Sequence, residues 1–128
     1  MVLNGISKRG LVFTLGGLIY ALIEISARGY THWSMVLTGG LCLVLMYEVN
    51  IRTNFNWWIK YLIGATIITT LEFIVGVIVN LIMHWNVWDY SYLPFNILGQ
   101  ICLPYFFIWY LVSIVGFGMC HVIEKRLA

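Results

Sequence analysis

Charged residues are what this sequence has least of: they make up 9% of its 128 residues, against 62% hydrophobic ones. A soluble domain carries close to 25% charge, and a body this small has much surface for its volume. There is too little polar surface to cover it, which excludes a soluble globular protein. Disorder is excluded too, because it needs low hydrophobicity and high charge. Basic residues are few and scattered: seven Lys and Arg, a formal net charge of +2, and no basic stripe. Nucleic acid is therefore not an expected partner. Three cysteines (Cys42, Cys102 and Cys120) form no C-x-x-C pair and lie in apolar runs. Such an odd set argues against a disulfide framework and against thiol-redox chemistry, and the three read as small hydrophobes. With no H-x-x-x-H and no Cys/His cluster, no metal or other cofactor is expected. No G-x-x-x-x-G-K-[ST] occurs among these residues, so the chain itself does not hydrolyse ATP.

What is present is four apolar segments, at about residues 11–27, 33–49, 58–83 and 95–120. Crossing ~30 Å of hydrocarbon takes about 20 helical residues. The first two are near the lower limit, and the last two are long enough to tilt or to project. None alternates with the period of a barrel strand. Lys8 and Arg9 before an apolar run resemble a signal peptide, but Glu24 and Arg28 stand where a small-residue cleavage site would be. The expected fold is an all-α integral membrane protein: residues 1–128 as one compact four-helix transmembrane bundle.

Orientation follows from the basic residues. Lys8, Arg9, Arg52, Lys60, Lys125 and Arg126 fall on one side and only Arg28 on the other. Both termini are thus expected in the cytoplasm (N-in/C-in) of a multi-pass cell-membrane protein, in contact with lipid. Trp33, Trp85, Trp88, Tyr90 and Tyr92 mark the outer interface. Trp57, Trp58 and Tyr61 mark the inner one. Trp109 fits neither belt.

Polar residues inside the apolar runs carry the functional information. A charge at the bilayer centre costs roughly 2.5–3.5 kcal/mol. Glu72 lies twelve residues before His84, ~18 Å along a helix, near the midplane. Thr69, Glu72, Gly76, Asn80 and His84 recur at spacings of three and four and make one stripe. Gly17, Ala21, Glu24 and Arg28 share a face of the first helix, with Glu24 and Arg28 an i,i+4 pair. The fourth segment is read as opening with Asn96 and Gln100, also i,i+4, and as kinked by Pro104. Glu24, Arg28, His32, Asn80, His84, Trp88, Asp89, Asn96 and Gln100 fall in the outer half, with Glu72 below. Facing stripes would line one outward polar cavity. Asp89 would accept backbone N–H groups or pair with Arg28, and Trp88 would pack between helices with its N–H bonded. Gly39–Gly40 reads as packing, Glu48 as a boundary residue, and the small faces Gly16/Gly17 and Gly116/Gly118 as contacts in a homo-oligomer.

Two stretches carry a resemblance. One is Arg28-Gly29-Tyr30-Thr31-His32-Trp33-Ser34-Met35. The other runs from Thr70-Leu71-Glu72-Phe73 and Gly76 through Trp88-Asp89-Tyr90-Ser91 to Pro94-Phe95-Asn96 and Gly99-Gln100-Ile101-Cys102. Together they resemble the CmpB-like small membrane-protein family known as putative ABC-transporter type IV. The resemblance places the family's motif Glu on Glu72, its turn on Trp88–Ser91, its fourth-helix polar pair on Asn96 and Gln100, and its first-helix Glu on Glu24. Thr31–Met35 departs from a Pro-containing stretch common in the family, which marks a divergent branch. The family label implies transport.

Three functions follow. The leading one is binding or passage of a small polar or amphipathic substrate, or of a cation or proton, through the outward cavity. Glu72 and Glu24 would hold cation or proton, and Asn80, Asn96 and Gln100 would act as hydrogen-bonding walls. The second is an accessory subunit working with a partner membrane protein or ATPase. The third, an enzyme on a lipid-linked substrate, would use His32, His84, Asp89 and Glu72 as acid–base groups. It has the least support, because no nucleophile–base spacing is visible.

Overall fold

In the computed structural model, which describes residues 4–127, the described chain is all-helical. Helix α1 spans Gly5–Arg28, α2 Trp33–Arg52, α3 Trp57–Gly76 and α4 Leu103–Leu127. α3 continues without a break as a π-helix over Val77–Ile82. Four helical stretches, with this continuation counted in the third, are long and apolar enough to cross a membrane. Large apolar side chains such as Leu18, Leu22, Phe107 and Leu111 stay exposed on the outside of the bundle. A helix apolar all round belongs in lipid.

Local chemistry explains where the helices begin and end. Asn4 caps α1, its side chain accepting from the Ser7 N–H at 2.7 Å. That start brings Lys8 and Arg9 into the helix, six residues ahead of the apolar run. α1 stops at Gly29, which takes a left-handed φ of +82°. α2 runs past the expected Val49 to Arg52, where Arg52 bonds Glu48 one turn back at 2.6 Å. α4 departs most from expectation. It begins at Leu103 rather than near residue 95, and Pro104 sits in its first turn. There the missing N–H costs nothing and the fixed φ suits the helix, so Pro104 starts the helix and does not kink it. Phe95, Leu98 and Gly99 all have positive φ, which stops helix from extending backward.

The first two helices pack closely through glycine. A Cβ on Gly16 would lie 2.6 Å from the Gly39 carbonyl oxygen, and one on Gly17 2.9 Å from Val36. Gly116 packs on Met46 in the same way, while Gly118 meets nothing. Three of the four glycines expected to mediate contacts between copies are thus used inside the chain. Gly39 and Gly40 serve packing, as expected. All three cysteines are free and buried.

The end of the bundle that holds both chain ends is tied by charge. Lys8 pairs with Glu124 at 3.2 Å, and Glu48 pairs with both Arg9 and Arg52. The Tyr47 hydroxyl also donates to Glu124. Lys60 is buried beside this end, donating to Asn50 Oδ1 at 2.9 Å and lying over the Trp57 ring. α1 and α4 meet only sparsely, leaving a seam between them.

Candidate functional site

Residues 83–102 form an irregular cover across the opposite end, the one that carries Arg28. Four non-glycine residues in it (His84, Asn86, Phe95 and Leu98) have φ between +51° and +57°. That conformation persists only where surrounding contacts enforce it. Here a buried polar pin does so. Asn80 donates from Nδ2 to Gln100 Oε1 at 2.7 Å, and its Oδ1 accepts the Val87 N–H at 2.7 Å. Trp88 Nε1 donates to the Gln100 carbonyl at 3.0 Å, and Gln100 Nε2 to the Leu98 carbonyl at 2.9 Å. Gly76 makes the room: a Cβ there would lie 2.7 Å from Gln100 Oε1 and 2.8 Å from the Trp88 ring. Asn96 shapes the turn above, donating to the Leu93 carbonyl and accepting from the Gly99 N–H.

Beneath the cover lies a cavity of about 410 Å³, within the size range of small-molecule sites. Glu24, Arg28, Trp88 and Asp89 line it, together with Tyr20, Tyr30, Tyr90, Tyr92, Tyr105 and Trp109. Arg28 is held on three sides. It pairs with Glu24, donates to the Val87 carbonyl at 2.6 Å, and lies over the Tyr30 ring at 4.8 Å. Thr31 donates to the other Glu24 oxygen at 3.0 Å. Asp89 is exposed and does not pair with Arg28. Its Oδ1 accepts the Ser91 N–H at 2.8 Å, and that bond holds its carboxyl below the ordinary carboxylate range. Burial pushes the Tyr90 hydroxyl up.

Glu72 sits behind this wall, 1% exposed. Its Oε2 accepts from Tyr20 at 3.0 Å and from Tyr90 at 3.4 Å. Its Oε1 has no partner, and neither do Trp109 Nε1 and Thr69 Oγ1. A second cavity of about 290 Å³ opens along the α1–α4 seam. Its walls are apolar, and it shares Tyr20, Ile23 and Trp109 with the first.

A family model described as putative ABC-transporter type IV matches residues 11–128. The chain belongs to this family. As a member of the putative ABC-transporter type IV family it is a multi-pass membrane protein, and the family name ties it to transport and is consistent with an ATPase or membrane partner. No curated protein matches the chain, and no solved structure does.

Of the expected site residues, the structure gathers Glu24, Arg28, Trp88 and Asp89 around one cavity, with Glu72 behind it. Asn80 and Gln100 are satisfied by each other and by backbone, so they hold the cover and do not wall the cavity. Asn96 does the same in its turn, and neither Asn96 nor Gln100 lies on α4. His32 caps α2, its Nδ1 accepting from the Ser34 N–H at 3.2 Å, and His84 is exposed at the start of the cover. Tyr20, Tyr90, Tyr105 and Trp109 were missed as site residues. The available signal was Trp109, an indole too deep for either belt.

Proposed function

We propose that the chain binds a small polar or amphipathic substrate in the 410 Å³ cavity and passes it toward Glu72. One observation carries this reading. The cavity gathers an ion pair, a free carboxylate and an aromatic wall directly in front of a buried acid that the wall's own hydroxyls hold. Membrane-embedded acids are costly, and in such places they bind cations or protons. The bias of Lys and Arg toward the end holding both chain ends supports a cytoplasmic position for that end and an outward-facing cavity. Movement driven by ATP would need an ATPase subunit, because these residues carry no nucleotide-binding motif.

Single cysteines at Ala27 and Asn86, both lining the cavity, test this with a membrane-impermeant maleimide. The native cysteines are buried and give little background. Labelling of both in intact cells is the expected result. Labelling only after permeabilisation would reverse the orientation, and no labelling under either condition would remove the cavity.

A further inference from the structure

We propose that a single-chain amphiphile with a cationic ammonium head occupies the two adjacent cavities. This deepens the reading above and rests on it. The apolar cavity lies against the polar one, with Tyr20, Ile23 and Trp109 in the walls of both. A polar solute has no use for the second compartment, and a hydrocarbon has none for the first. One molecule with a polar head and an apolar tail satisfies both.

The charge of the head follows from which groups are free. Among the described residues the one Lys or Arg lining the polar cavity is Arg28, whose guanidinium pairs with Glu24, donates to the Val87 carbonyl and lies over the face of Tyr30. An anionic head would meet Glu24 and Asp89 beside that single cation. Glu24 is neutralised by the same pair. Asp89 remains, an exposed carboxylate with one backbone bond, so the polar cavity carries a net negative charge. Its wall is a continuous run of rings. Tyr90 stacks on Tyr105 at 4.6 Å between centroids, Tyr105 meets Trp109 at 5.8 Å, and Trp109 stacks on Tyr20 at 5.6 Å. Aromatic faces beside a carboxylate attract ammonium cations. The tail compartment, about 290 Å³, is sized for one chain: it holds roughly ten water-sized groups. It opens between α1 and α4, which meet only sparsely.

The experiment is native mass spectrometry of the purified full chain with equimolar dodecyltrimethylammonium and dodecyl phosphate. The two probes share a tail, so partition into detergent cancels and the ratio reports the head. One trimethylammonium amphiphile per chain is expected, in at least tenfold excess over the phosphate. Asp89→Asn should reduce that excess about tenfold. Val115→Trp and Ile19→Trp, which fill the apolar cavity from opposite walls, should each weaken retention tenfold. Far-UV circular dichroism and size-exclusion chromatography check that each variant is folded. Equal retention of the two heads, or a preference for phosphate, would overturn the proposal. Choline retained as well as the long-chain cation, with both Trp variants silent, would also overturn it and leave the polar-cavity reading intact. No retention of any probe overturns it as well, and if Asn86→Cys is then closed to label, the cavity reading falls with it.

Discussion

Replacing Asn80 with Leu removes the centre of the buried pin while nearly keeping its volume. Two partners are stranded: Gln100 Oε1, and the Val87 N–H that Asn80 Oδ1 accepts. Gln100 is 3% exposed and Val87 4%, so water cannot replace the lost bonds without opening the cover. Each buried unsatisfied group costs about 1–3 kcal/mol, giving a loss of about 2–6 kcal/mol. Side-chain hydrogen bonds between membrane helices average only ~0.6 kcal/mol, because the membrane-embedded unfolded state also finds partners. The larger figure applies here because one stranded group is a backbone N–H in a segment with no helix of its own. Gln100→Leu breaks the same pair from the other side, so the double variant should cost well under the sum of the singles. Unfolding in mixed dodecylmaltoside–SDS micelles, followed by tryptophan fluorescence, measures all three. An Asn80→Leu loss below about 1 kcal/mol, or strict additivity with Gln100→Leu, would refute the pin.

Other outcomes follow from the same geometry. Glu72→Gln keeps a carbonyl oxygen for Tyr20 and Tyr90 and should leave stability within about 1 kcal/mol, whereas Glu72→Leu strands the buried Tyr20 hydroxyl and should cost about 1–3 kcal/mol in the same titration. Gly16→Val places its Cβ against the Gly39 backbone and should cost about 1–3 kcal/mol or more by forcing α1 from α2; an unchanged midpoint would contradict the close crossing. The Asp89 carboxyl is held below its ordinary range by the Ser91 N–H, so its contribution is present above the unfolded value of about 3.9. It is lost as pH falls through the lower folded value. Proteolysis of the cover should accelerate in that acid window, and Asp89→Asn should remove the window without unfolding the bundle.

The four helices were legible because twenty-residue apolar runs have few other uses. Glu24 and Arg28 were legible because spacing alone brings i and i+4 together. The cover was not. Asn96 and Gln100 are four apart, and a helix is the simplest reading of that spacing in an apolar stretch. Two local signals opposed it: Pro104, which fits a first turn best, and Gly99, which takes the left-handed φ. The tyrosines were hidden for another reason. An aromatic in an apolar run reads as filler, and only packing in three dimensions turns the hydroxyls of Tyr20 and Tyr90 onto Glu72.

The π-helical turn at Val77–Ile82 acts as a vernier. A wider turn takes up residues at a different angle from the α-helix below it. Every residue that follows is therefore set at a bearing the α-helix alone would not give. Asn80 faces Gln100 within this turn, and the cover hangs from that bond. Removing one residue between Gly76 and Asn80 would swing Asn80 by about a quarter-turn, at 3.6 residues per turn. Only a few residues thus set the angle at which the lid sits on its barrel of helices, and lengthening or shortening this turn would aim the same cavity at a differently shaped guest.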